Sequence, residues 1–203
     1  MSEHKQRIRQ SILAQRMDMS ASQVQRLSAT ICAHITLSAS FGAARYVGIY
    51  HPIRNEVDLL SLIVTTGRKA SNCIKQFYLP VTDRNSGMLR FCPFDVQTPL
   101  VTGAFGVKEP KQQTNTPCLM PEGMVKLDLL LMPLVGFSNT GIRLGYGGGY
   151  YDRTLAEKDR SSAEKPLLIG VGYAFQQVDL LYAESHDWPL DGIVTENGLH
   201  ILS

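Results

Sequence analysis

Apolar residues are sparse at the start of the chain. Ile8, Ile12 and Leu13 make a narrow stripe through a polar, basic stretch, which predicts a helix over residues 3–18. Ser20 with Gln23 forms a capping box, and Val24, Leu27, Ile31 and Ile35 then recur at helical spacing, so a second helix follows and the region closes at Gly42. Beyond it the periodicity changes. Residues 46–50 are a short apolar run rich in strand formers that ends at Pro52. Residues 58–66 have helical spacing and stop at Gly67, residues 74–79 form a strand stopped by Pro80, and residues 89–94 form a weaker strand.

Residues 95–126 carry Pro99, Gly103, Gly106, Pro110, Pro117 and Pro121 among polar positions, the composition of a long irregular connection with one short strand around Val107. Residues 127–132 are apolar on both faces apart from Asp128, as a central parallel strand should be. A loop over 133–149 leads into a helix over 150–158, and strands at 167–172 and 193–195 complete the pattern. Strands that alternate with helices predict an α/β fold, a mostly parallel sheet with helices on both faces. The chain of 203 residues fits a single domain over 1–203, with the N-terminal helices 3–37 packed on the α/β core.

Lys and Arg number 20 against 18 Asp and Glu, a balance that argues against a nucleic-acid coat. Cys32, Cys73, Cys92 and Cys118 lack the spacing of a zinc or redox site and are expected to be buried or half-buried thiols in a reducing compartment. The N-terminus has charge without an apolar stretch behind it, and the longest apolar run, 129–137, is broken by Pro133 and Gly136. A soluble, cytoplasmic protein with no membrane partner is expected. Nothing in the chain calls for a dimer, so a monomer is expected too.

The richest chemistry lies from Arg143 to Asp152, Arg-Leu-Gly-Tyr-Gly-Gly-Gly-Tyr-Tyr-Asp. Glycines at 145, 147, 148 and 149 let backbone N–H groups turn toward a ligand, Arg143 offers a planar fork to phosphate oxygens, and Asp152 can hold a hard cation such as magnesium. Together they describe a nucleotide-phosphate cradle beside a metal post. The third glycine of a dinucleotide fingerprint is replaced by Tyr150, and no Gly-Lys-Ser/Thr follows, so it is neither a dinucleotide fingerprint nor a Walker loop. A bare glycine-rich turn is the plainer reading, but it needs neither Arg143 nor Asp152.

Lys5 and Arg9 lie one turn apart near a helix start, where cations are disfavoured unless an anion sits nearby; the plain alternative is a solvated basic face. His51 and Glu56 follow a strand and can line a pocket for a polar heterocycle, although Glu56 could equally help to start the next helix. Asp187 and Asp191 flank Trp188-Pro-Leu and could supply a second metal carboxylate or cap a turn. His4, His34, His186 and His200 show no ligand spacing.

The glycine segment, the preceding Leu-Met-Pro-Leu-Val-Gly-Phe over 131–137, the Lys5-x-x-x-Arg9 element and the Glu56 segment together resemble the 5-formyltetrahydrofolate cyclo-ligase family, also called methenyltetrahydrofolate synthetases. The resemblance spans nearly the whole chain. It implies a fold like that of ribose-phosphate isomerases and CoA-transferases. The reaction implied takes 5-formyltetrahydrofolate to 5,10-methenyltetrahydrofolate while ATP becomes ADP and phosphate in the presence of Mg2+. Carried onto this sequence, it has Lys5, Arg9, Arg143, Leu144, Gly145, Tyr146, Gly147, Gly148, Gly149, Tyr150 and Tyr151 binding ATP, with Arg143 catalytic. His51 and Glu56 would contact the folate, and Asp152 and Asp187 would hold the metal. Some family members carry lysine where this chain has Gly148. Two rivals use the same fold: a folate-holding protein without turnover, and an ATP-independent sugar-phosphate isomerase or CoA-transferase. The charge balance disfavours an RNA-binding regulator.

Overall fold

The computed structural model describes residues 3–66, 75–111, 118, 127–156, 166–179, 181–184 and 187–202. In chain order the elements are α1 (Glu3–Met17), α2 (Ala21–Leu37), α3 (Ala39–Ala43), β1 (Tyr46–Gly48), α4 (Ser61–Thr66), β2 (Gln76–Asp83), β3 (Met88–Phe94), β4 (Leu100–Thr102), β5 (Lys108–Pro110), β6 (Leu129–Pro133), β7 (Gly136–Phe137), β8 (Arg143–Leu144), α5 (Tyr150–Ala156), β9 (Leu167–Val171), β10 (Gly192–Thr195) and β11 (Gly198–Ile201). Seven strands form one sheet in the order β11-β10-β9-β6-β1-β2-β3. Its five inner strands are parallel, and β11 and β3 close the edges antiparallel.

β6 shows why the sheet is buried on both sides. Its side chains alternate, Leu129 and Leu131 entering one core and Leu130 and Met132 the other. The first core takes Ile31, Cys32 and Ile35 of α2, Phe41 of α3 and Leu62 of α4. The second takes Leu155 of α5 with Phe137, Trp188 and Leu190. Asp128, the polar exception before this strand, accepts the N–H groups of Arg45 and Tyr46 at 2.7 Å each and so ties the start of β1 to β6. The capping box is formed: Ser20 Oγ accepts from Gln23 N–H and Gln23 Oε1 accepts from Ser20 N–H.

Several expectations need correction. Pro80 does not end its strand; β2 runs on to Asp83, with Pro80 opposite Phe91. Tyr78 accepts a bond from Ile49 N–H on the β1 side, so the backbone of Pro80, two residues on, faces that same side beyond the end of β1. The missing proline N–H therefore removes no ladder bond. The connection after residue 95 holds a hairpin of β4 and β5 rather than one strand. The loop after β6 contains a second small hairpin, β7 with β8. Gly42 lies inside α3 instead of closing the helical region. The last strand is β11, a half-exposed edge whose burial does not alternate, so periodicity could not reveal it. Cys92 and Cys118 are joined in a disulfide, contrary to the expectation of scattered thiols. Cys32 is a buried thiol as expected, and burial pushes its pKa up to about 11. Gly67, Cys73, Ile74, Pro117, Pro121, His186 and the predicted end of the fifth helix at 157–158 lie outside the described residues. Among the described residues no helix is long and apolar enough to cross a membrane.

Candidate active site

A cleft of about 570 Å³ opens where chain leaves the carboxyl ends of β1, β2 and β6. Ligand sites of open α/β sheets lie at such ends. Every residue that the resemblance assigns to the site lines it: Lys5, Arg9, His51, Glu56, the run from Arg143 to Tyr151, Asp152 and Asp187; Asp191 does not.

Helix α1 brings its cations in on one face. Lys5, Arg9, Ile12 and Arg16 fall at helical spacing and are among its less exposed positions, Ile12 and Arg16 being buried. Lys5 Nζ pairs with Glu184 Oε1 at 2.8 Å and lies 3.5 Å from Asp187 Oδ2. Arg9 Nε donates to Gly145 O at 2.7 Å, which fixes the helix to the glycine turn. The basic face is therefore turned into the protein, not solvated.

The glycine turn leaves β8 and enters α5. Gly147 and Gly149 take φ values of +96° and +66°, which a side chain would oppose. Arg153 Nη2 holds Gly148 O at 2.8 Å from the far side. Among the described residues, no acceptor meets the amide N–H of any residue from Gly145 to Gly149. A row of free amides beside cations suits an anion.

Arg143 Nη2 grips Asp152 at 3.0 and 3.1 Å, and its guanidinium lies 5.3 Å from the Tyr151 ring centroid. Two buried guanidinium atoms on the cleft, Arg9 Nη1 and Arg143 Nε, have no hydrogen-bond partner among the described residues. Buried donors of this kind call for an acceptor. Burial also lowers the pKa of Arg9, an effect that Glu184 and Asp187 oppose. Among the described residues no three His, Cys, Asp or Glu side chains cluster as a metal cage. Magnesium does not require one, because it keeps its waters and takes one or two carboxylates together with substrate phosphates. Asp152 and Asp187 match that donor set in kind.

Asp187 also does what the plain reading expected, since its Oδ2 accepts Glu184 N–H at 2.8 Å and caps a turn. Asp191 accepts Leu168 N–H at 2.8 Å and serves the fold. His51 lines the cleft with Nδ1 3.3 Å from Pro52 O, and His34 Nε2 lies 3.2 Å from Glu196 O. Glu56 does not start α4; the N–H of Leu60, just before that helix, is held by Asp58. Its Oε2 accepts Ile53 N–H at 3.0 Å, and its Oε1 accepts the Tyr146 phenol at 2.9 Å and stands 3.9 Å from Arg16 Nη2. Burial pushes the Glu56 pKa up, against the pull of Arg16 and of these donors. The phenols of Tyr146 and Tyr151 are likewise held well above the ordinary tyrosine value, by burial first.

Sequence reasoning missed Arg16, Phe105, Glu109 and Glu184, which all bear on the cleft. Arg16 had a signal: it continues the stripe of Lys5, Arg9 and Ile12. The others sit in loop or hairpin segments whose local pattern carries no chemistry.

Fold and cleft together define an α/β protein of the kind that takes its ligand at the carboxyl ends of parallel strands. The chain belongs to the 5-formyltetrahydrofolate cyclo-ligase family, whose sequence profile matches residues 1–196. It is 31% identical over 193 residues to the 5-formyltetrahydrofolate cyclo-ligase of Haemophilus influenzae, covering 95% of this chain and 98% of that one. Identity to the enzyme of that name from Escherichia coli K12 is 33% over 153 residues, 75% of this chain and 78% of the other. The solved structure of Aquifex aeolicus 5,10-methenyltetrahydrofolate synthetase superposes with a TM-score of 0.78 at 30% identity, covering 98% of this chain and 92% of that chain.

Proposed function

We propose that this chain closes the ring of 5-formyltetrahydrofolate to 5,10-methenyltetrahydrofolate, with ATP converted to ADP and phosphate. Family membership supports the reaction, and one observation supports the nucleotide. Arg9 and Arg143 come from distant parts of the chain to flank a turn whose five amides meet no acceptor among the described residues, and each carries a buried N–H without a partner among those residues.

In this reading Lys5, Arg9 and Arg143 spread the charge of the transferring phosphoryl group, and the amides of Gly145 to Gly149 supply fixed dipoles. The formyl oxygen attacks the γ-phosphorus while the bond to ADP breaks. The nitrogen at position 10 then closes on the formyl carbon and gives up its proton, and phosphate leaves with the formyl oxygen. No side chain becomes a covalent nucleophile; the protein aligns and neutralises. Asp152, with Asp187 near Lys5, would hold Mg2+, which would supply further neutralisation of phosphate charge. His51 and Glu56 belong to the folate wall of the cleft. We take the enzyme to work as a cytoplasmic monomer without nucleic-acid or membrane partners. The balanced charge supports the absence of a nucleic-acid partner, and the Cys92–Cys118 bond pulls against the cytoplasmic placement, since such bonds are rare in reducing compartments.

The test is to incubate purified protein with 5-formyltetrahydrofolate and Mg2+, with and without ATP, and follow the methenyl chromophore. Formation only with ATP is expected. No formation, or formation that ignores ATP, overturns the reading.

A further inference from the structure

Two glutamates buried in the wall of the cleft are in opposite conditions. Glu56 is committed to the protein: one oxygen takes Ile53 N–H, and the other takes the Tyr146 phenol and faces Arg16. Glu109, on β5, is 7% exposed and lines the same cleft. Among the described residues it receives one hydrogen bond, from Thr82 N–H to Oε1 at 3.1 Å, and it makes no ion pair. A buried carboxylate with so little compensation is costly unless a ligand completes it.

The surroundings say what kind of ligand. Pro80, Leu89, Phe105 and Val107 line the cleft along with Glu109, an apolar setting for a single acceptor group. Phe105 is 75% exposed, and its φ of +56° places a bulky residue in the left-handed region. Strain of that kind gathers at ligand clamps. Its ring centroid is 5.8 Å from that of Tyr150, edge to face, at the end of the glycine turn. Gly103 lies against the carboxylate. A Cβ there would fall 2.1 Å from Glu109 Cδ, so no side chain fits without displacing it.

We propose that Glu109 reads the heterocycle of the substrate, accepting the paired N–H donors of a 2-amino-4-oxopyrimidine edge while Phe105 covers the ring. An amino group beside a ring N–H presents two parallel donors, the pattern a carboxylate accepts from the arginine fork. Oε1 keeps a lone pair beyond its bond to Thr82, and Oε2 has both. Glu109 is thus the specificity residue for the pterin end, and Glu56 shapes the wall that joins it to the nucleotide side. The inference rests on the proposed reaction for the identity of the heterocycle.

Glu109→Gln tests it, because glutamine keeps an oxygen for Thr82 N–H and the same shape, but sets a donor against the donors of the ring. Affinity for 5-formyltetrahydrofolate, measured by direct binding without ATP, should fall about 10- to 100-fold. The KM for ATP and the melting temperature should stay unchanged. A folate analogue lacking the 2-amino group should bind wild type more weakly by a similar factor, and should bind wild type and Glu109→Gln alike. Gly103→Ala, which moves the carboxylate but keeps its charge, should reproduce the loss for the folate alone. Unchanged folate affinity in Glu109→Gln overturns the assignment. So does a loss that tracks a lowered melting temperature, which would make Glu109 a staple between hairpin and sheet. Wild-type turnover, followed in parallel, separates the two readings. Turnover with an indifferent Glu109 sinks only this inference, and absent turnover sinks the reaction while the binding comparison still decides whether Glu109 holds the ring.

Discussion

The phenol of Tyr146 donates to Oε1 of Glu56 at 2.9 Å, joining two loops that stand 90 positions apart in sequence. Arg16 seals the junction. Its Nη2 donates to the Tyr146 oxygen and faces Glu56, Nε donates to Arg54 O at 2.8 Å, and Nη1 to Leu134 O at 3.2 Å. The guanidinium groups of Arg16 and Arg54 lie 5.7 and 5.6 Å from the Tyr146 ring centroid. The glycine turn and the loop after β1 are therefore one mechanical unit, pinned by the last turn of α1.

Tyr146→Phe cuts this junction without emptying it. Glu56 keeps Ile53 N–H and Arg16 but loses its phenol, so stability should fall by about 1 to 2 kcal/mol in urea denaturation. Because the turn and the Glu56 loop are joined, the KM values for ATP and for the folate should rise together. A rise in only one of them would show that the loops act separately.

Arg16→Ala should be far more damaging. It takes the cation from buried Glu56 and leaves the Arg54 carbonyl and the Tyr146 oxygen without their donor, while Leu134 O keeps Gln176 Nε2, a loss of about 3 to 5 kcal/mol. Arg16→Lys should recover only part, since an ammonium cannot serve partners spread around a planar fork. Thermal denaturation of the two variants beside wild type checks the order.

Glu56 makes stability depend on pH in a definite direction. Its native pKa is raised above the ordinary 4.5, so the folded state binds its proton more tightly than the unfolded state does. That contribution is fully present below 4.5 and is lost as pH rises through the native value. Relative to wild type, Glu56→Gln should therefore gain stability as pH rises through this window. A constant difference from acid to neutral pH would mean the carboxylate is not perturbed.

Arg143→Ala should lower turnover about 100-fold or more, the scale of losing one charge-stabilising donor. Its effect on folding should be small, because the Asp152 it releases is partly exposed and can reach water. Arg143→Lys should stay close to the alanine variant, since it restores charge without the fork. Wild-type turnover in Arg143→Ala would remove the residue from the reaction.

Asp152→Asn should shift the magnesium dependence to higher concentration while the circular dichroism spectrum stays unchanged. A magnesium titration of activity that overlays wild type would deny Asp152 its metal role.

The sequence by itself determined the α/β alternation, the buried central strand, read over 127–132 and formed over Leu129–Pro133, the capped second helix and the glycine turn with its flanking Arg143 and Asp152. These are local: side-chain periodicity, cap chemistry and glycine spacing act over a few neighbouring residues. It also held the stripe of cations on α1, but nothing local says whether such a stripe meets water or protein. Only the tertiary structure decided that Lys5, Arg9 and Arg16 face inward, that Glu56 is held by Tyr146 and that Glu109 receives, among the described residues, only the N–H of Thr82, that Pro80 sits where a ladder bond is not needed, and that Cys92 meets Cys118. Each of these depends on partners distant in the chain, brought together by strand order and crossover, and no short-range pattern carries that information.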